Sequence, residues 1–185
     1  MTFQDFVDLQ GKIANVPHRV TNRSVLAALG EGQYVSYVCF IKEAHYSDTM
    51  RGESVNCNLP GPAANDIHVV LVKDPNDQDP CNSTVAEISP HYRPANWTPE
   101  NLITASKNRP VRIRGQLFCD TSHSACSGNY RPNPKRISIW EIHPVYSVEI
   151  CEQTMLSECQ SSTAKWSPLS GLVSDDTVDD EQSGQ

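Results

Sequence analysis

The chain has 185 residues, 38% of them hydrophobic and 20% charged, which is material for one modest core and a tight fit for two full domains. No apolar run approaches the ~20 residues of a bilayer-spanning helix, which excludes an integral membrane protein of that kind. The net charge of -7 disfavours a partner as acidic as nucleic acid, yet Asp175, Asp176, Asp179, Asp180 and Glu181 crowd one end with no base among them, and without those acids the remainder nets -2.

Residues 1–30 read as a helical N-terminal extension. Phe3, Phe6 and Val7 fall at i, i+3 and i+4, the spacing of a short amphipathic helix. A second short helix fits 24–29, with Thr21 or Asn22 near its start and Gly30 in the position that commonly closes a helix. The opening Met1-Thr-Phe-Gln-Asp-Phe has neither a basic region nor an apolar one of leader type, so the expected compartment is the cytoplasm.

Strands come after these helices. Residues 34–44 are rich in aromatic and β-branched side chains, 66–73 follow a Gly/Pro/Asn loop, and 84–89 form a third strand after the Asp74-Pro-Asn-Asp-Gln-Asp-Pro loop. A helix comes next, with Thr98 as N-cap, Pro99 in the first turn and Glu100 at the positive end of the dipole; Pro110 blocks its continuation. The fourth strand is 111–120, with Gly115 permitting a bulge or bend, and the fifth is 137–151. The remainder, 153–185 with its acid run beginning after Pro168, is expected to be a disordered acidic tail that could bind a basic protein partner.

Three strands, a helix and two strands is the order of an OB-fold, a five-stranded Greek-key barrel, so 31–152 are expected to form a mainly β, OB-fold-like barrel domain. The segments Glu53-Ser-Val-Asn-Cys, Asp66-Ile-His, Glu87-Ile-Ser-Pro-His-Tyr-Arg-Pro, Gly115-Gln-Leu-Phe-Cys-Asp-Thr-Ser-His and Trp140-Glu-Ile-His-Pro-Val resemble a group of uncharacterised bacterial proteins with an OB-like core. That resemblance covers about 31–151 and implies a fold, with no activity attached.

Acid and imidazole recur at short spacing: Asp66/His68, Glu87/His91, Asp120/His123 and Glu141/His143. On a strand, i and i+2 share a face, and a carboxylate beside an imidazole fixes its tautomer and raises its basicity. If the barrel pairs its strands in the order 1-2-3-5-4, the first, second and fourth pairs converge, while Asp120 and His123 fall at the opposite end. His68, His91, His143 and Asp66 are then candidate ligands of a divalent metal, with Glu87 or Glu141 as base on a bound water in a nuclease- or phosphoesterase-like hydrolase. Against this stands composition: roughly one histidine in three would follow an acid by chance, as His45 follows Glu43.

OB-folds bind ligands across the second and third strands between two flanking loops. Here those loops and strand ends carry Tyr46, Arg51, Tyr92, Arg93, Tyr130 and Arg131, aromatic and cationic groups suited to single-stranded nucleic acid or another polar oligomer. A binding module with such a ligand is the leading expectation, the hydrolase its alternative, and a non-catalytic protein-interaction domain whose acidic tail takes a basic partner a third. Of the seven cysteines none forms a CxxC pair, which predicts mostly reduced thiols, with Cys119–Cys126 the one bridge kept open.

Overall fold

The computed structural model describes residues 1–169 except 52, 54, 57, 58, 60 and 92. Tyr92, Cys57 and the acid run from Asp175 therefore lie outside the described residues. Of Arg51 only the backbone is described, closing the 3-10 turn Thr49–Arg51.

The protein is mainly β. Strands β1 (Tyr34–Tyr46), β2 (Ile67–Val72), β3 (Thr84–Ile88), β4 (Val111–Cys119) and β5 (Trp140–Cys151) close into an OB-fold-like barrel. β1 pairs antiparallel with both β2 and β4, β2 with β3, and β4 with β5; the barrel closes where β3 runs parallel to β5. Helices α1 (Phe3–Lys12) and α2 (Ser24–Ala28) precede the barrel, and α3 (Pro99–Ala105) connects β3 to β4. Thr98 caps α3 by accepting from the Asn101 amide, with Pro99 in the first turn where its missing N–H costs nothing.

Alternation along the strands fills the interior. Ile67, Val69 and Leu71 of β2, Ala86 and Ile88 of β3, and Trp140 and Ile142 of β5 are buried in one apolar cluster that also takes in Phe6 and Leu9 of α1. A reciprocal capping box between Thr2 and Asp5 starts α1, and the Phe6 ring meets Tyr37 edge-on at 5.3 Å.

Irregularities set which side chains face outward. In β1 the register slips between Ile41 and Glu43, so Lys42 is an extra residue. Ile41 packs toward the core, and after the bulge Ala44 and Tyr46 do so, which turns Glu43 and His45 to the outside. In β5 the register with β4 slips on both sides of Gly115. A Cβ at Gly115 would lie 2.3 Å from the Pro144 carbonyl oxygen and 2.6 Å from Ile142 Cγ2, so only glycine lets β5 bulge against β4 at His143 and Pro144.

The tail expected from 153 is ordered as far as it is described. Helix α4 (Leu156–Cys159) turns the chain back, strand β6 (Trp166–Pro168) pairs antiparallel with β5, and Leu169 is buried in the core. The charge-poor stretch 160–169 supplies what the acid run lacks: Trp166 lies under the Arg112 guanidinium, 4.2 Å from its ring centre.

The thiols also differ from expectation. Cys126 is bridged to Cys81, and a second disulfide joins Cys151 to Cys159; among the described residues Cys39 and Cys119 are the free thiols. Cys126 is already bridged to Cys81, while Cys119 ends β4 on the inward phase of Ile113 and Leu117 and is buried in the core. Burial there pushes its thiol pKa up to about 12. Among the described residues no helix is long and apolar enough to cross a membrane.

Candidate functional site

A row of ionisable side chains crosses the outer face of the barrel. His45 on β1 stands opposite His68 on β2, and His68 opposite Glu87 on β3. Val85 pairs with Glu141 and Ala86 with Ile142 in the parallel β3–β5 ladder, which carries the row on to Glu141 and His143. These are the outward residues of strands whose alternate positions fill the core. The loop 47–66 lies over one side, supplying Glu53 and Asp66, and the loop 120–139 over the other.

Glu87 stands at the centre. His143 Nδ1 is 3.1 Å from Glu87 Oε2 and 3.5 Å from Glu141 Oε1, while His143 Nε2 lies 3.9 Å from Asp66 Oδ2 and 3.2 Å from Ser89 Oγ. On the other side His68 Nε2 is 3.5 Å from Glu87 Oε1. Ligand atoms of Asp66, Glu87 and His143 all lie within 4.8 Å of one another, as do those of His45, Glu53 and His68. Asp66 is held in place by Asn56, whose Nδ2 donates to Oδ1 at 3.3 Å.

Against the row lies a buried cation. Arg136, at 0% exposure, donates through Nη1 to Glu141 Oε2 at 3.0 Å and places Nη2 3.4 Å from His68 Nε2. Glu141 is itself 1% exposed, so neither charge of this pair has water to fall back on. Burial and the Arg136 charge together lower the His68 pKa to about 3, which keeps the ring neutral. At His143 burial also disfavours the cation, but the hydrogen bond to Glu141 and the charges of Glu87, Glu141 and Asp66 outweigh it and raise the pKa to about 9. Burial, reinforced by repulsion from Glu141, pushes the Glu87 carboxyl well above the ordinary range. Near neutrality the cleft therefore stores protons that a bound cation would displace.

A cleft of about 180 Å³ opens over this end of the row, lined by Glu53, Asp66, Glu87, Glu141 and His143, with Asp120 and His123 on its rim. Asp120 Oδ2 accepts from His123 Nδ1, while Ser122 donates to Asp120 Oδ1 through its amide at 3.0 Å and its hydroxyl at 2.5 Å. This corrects the expectation that Asp120 and His123 sit at the opposite end. They follow β4, the antiparallel neighbour of β5, and so return to the end where β5 begins.

The predicted residues separate accordingly. Asp66, Glu87, Glu141 and His143 come together, and His68 lies one strand behind them with Nδ1 turned to Glu53, 3.3 Å from Oε1. His91 does not join: it is exposed on the turn after β3 and belongs to neither ligand group. Arg93 is engaged by the 47–66 loop, donating to the carbonyls of Asn65 at 3.0 Å and Pro62 at 2.6 Å and lying over the Tyr46 ring at 5.4 Å. Tyr130 and Arg131 are exposed on the 120–139 loop, Arg131 3.5 Å from Asp79.

Sequence reasoning misses His45, Glu53 and Arg136. His45 carries the same acid-then-histidine spacing as the chosen pairs, and chance accounts equally well for that spacing. Glu53 arrives through a loop, and Arg136 reads as part of a solvated basic run. Comparison with protein-family models, with curated proteins and with solved structures returned no match. The comparisons thus give no support to the resemblance to a bacterial OB-like group, and the fold rests on the barrel itself.

Proposed function

We propose that the protein is a divalent-cation-dependent hydrolase of the phosphoesterase or nuclease type, with Asp66, Glu87 and His143 holding the cation. The observation that carries this reading is the convergence of those ligand atoms within 4.8 Å on the cleft face. A carboxylate-rich set with one imidazole suits a hard or borderline divalent ion, which would polarise a phosphoryl or acyl oxygen and acidify a bound water. Glu141, fixed by Arg136, orients His143, and the Asp120–His123 pair on the rim is placed to take a proton from water. The cleft's carboxylates repel phosphates unless a cation lies between, which favours a metal-assisted reaction over a plain nucleic-acid-binding module. Tyr130 and Arg131 remain the groups we assign to a polar oligomeric substrate. The two disulfides favour an oxidising compartment over the cytoplasm.

The test is hydrolysis of bis(p-nitrophenyl) phosphate and of a single-stranded oligonucleotide with Mg²⁺, Mn²⁺ or Zn²⁺ after chelation. Turnover should require the added ion and fall at least about 100-fold in Asp66→Asn and in His143→Gln, with folding preserved. Absence of turnover with every ion, or turnover indifferent to Asp66→Asn, would sink the reading. Oligonucleotide binding without cleavage would return the plain binding module to first place.

A further inference from the structure

The other end of the row has a different chemistry. Glu53 Oε1 receives a hydrogen bond from His45 Nε2 at 2.8 Å and faces His68 Nδ1 at 3.3 Å. The second oxygen, Oε2, is occupied by the Asp48 amide at 3.0 Å, so the carboxylate is fixed with Oε1 toward both rings. His68 is 1% exposed and its Nδ1 has no hydrogen-bond partner, an unmet polar atom in a place where such atoms are rare.

We infer that His45 Nε2, His68 Nδ1 and Glu53 Oε1 form a second metal site, nitrogen-rich and selective for a borderline transition ion of the Zn²⁺ class. Ligands about 2.0–2.1 Å from a tetrahedral ion sit roughly 3.3 Å apart, close to the separations just given. Two imidazoles with one carboxylate and an open fourth position is a recurring transition-metal set, whereas Mg²⁺ or Ca²⁺ would call for oxygen.

Carboxylates also stand near the outer nitrogens of both rings. A metal-bound histidine usually turns its other ring nitrogen to a carboxylate. His45 Nδ1 lies 3.3 Å from Glu43 Oε1, near it but not hydrogen-bonded, and His68 Nε2 lies 3.5 Å from Glu87 Oε1 with Arg136 Nη2 at 3.4 Å on the same nitrogen. A cleft of about 180 Å³, bordered by Pro80, Ser83 and Lys135, leads to the three ligands and supplies an entry path. Because Glu53 comes from the 47–66 loop and both histidines from the barrel, an ion here would clamp the loop that carries Asn56 and Asp66 into the proposed hydrolytic cleft.

The test uses the full chain, stripped with chelator and titrated with Co²⁺, whose visible d–d bands report a low-coordinate nitrogen-containing site. A background of Asp66→Asn with His143→Gln silences the cleft, separating this site from the hydrolase reading. One equivalent of Co²⁺ should give the bands in that background, and Zn²⁺ should displace it. His45→Gln, at a partly exposed position, and Glu53→Gln should each weaken binding about 10- to 100-fold. If Glu53→Gln does not fold, His45→Gln carries the result alone. Bands absent from the cleft-silenced protein, or unchanged by His45→Gln, would overturn the proposal whether or not the protein hydrolyses anything.

Discussion

Glu87 has an imidazole on each side, and the two imidazoles are held in opposite states. His68, 3.5 Å from one oxygen, is neutral down to about pH 3; His143, 3.1 Å from the other, keeps its proton to about pH 9. A carboxylate neighbour therefore does not decide the charge of a histidine by itself. At His68 burial and the Arg136 cation win; at His143 further carboxylates outweigh burial. One strand's width separates a site suited to neutral imidazole ligation from one that stores protons for exchange with a cation.

The largest blow to this contrast is Arg136→Met. It removes the cation that opposes protonation of His68 and leaves Glu141 buried without its partner. Breaking a buried pair from one side costs on the order of 3–5 kcal/mol, to be read from urea unfolding, and the His68 titration should move upward. A loss below about 1 kcal/mol would show that Arg136 does not hold this centre.

Smaller, and directed at the His143 end, is Gly115→Ala. The added methyl would meet the Pro144 carbonyl at 2.3 Å, so β5 must shift, at an expected cost of about 1–3 kcal/mol with weakened cation binding in the cleft. Gly11→Ala in α1, where a Cβ meets nothing within 4 Å, should instead stabilise by about 0.5–1 kcal/mol. Equal unfolding midpoints for the two variants would refute close packing at Gly115.

The gentlest test is titration. A folded pKa raised above the unfolded value contributes stability below the unfolded pKa and loses it as pH climbs through the folded one. For His143 that window runs from about 6.5 to about 9, and the raised Glu87 acts in the same direction from its ordinary carboxylate range upward. The contribution to stability should decline across the His143 window, more steeply in the native chain than in His143→Gln. Imidazole NMR resonances should show His143 titrating near 9 and His68 silent above about 4; a His68 midpoint near 6.5 would end the contrast.

Much of the architecture is legible in the residues alone. The strands announce themselves through β-branched runs, α3 through Thr98-Pro99-Glu100, and the bend through Gly115. The barrel order then brings Asp66, Glu87, Glu141 and His143 together. The hidden parts depend on distance in the chain. Arg136 is buried only because the 120–139 loop folds over the row, and Glu53 matters only because its loop closes over β2. The Cys81–Cys126 pairing, across a separation of 45 residues, cannot be told from other pairings by spacing. The ordered stretch after 153 is masked by the acids beyond it.

Lys42 has a consequence of another kind. It is the odd residue in a strand otherwise matched step for step with β2, and its presence changes the parity of every later position in β1. Loss of that single codon would restore plain alternation and leave Glu43, Ala44 and His45 opposite the same β2 residues, His45 still facing outward. The nitrogen-rich site thus depends on the bulge itself: a strand that kept Lys42 but paired regularly would turn His45 inward and Ala44 and Tyr46 outward, with the composition of the chain unchanged.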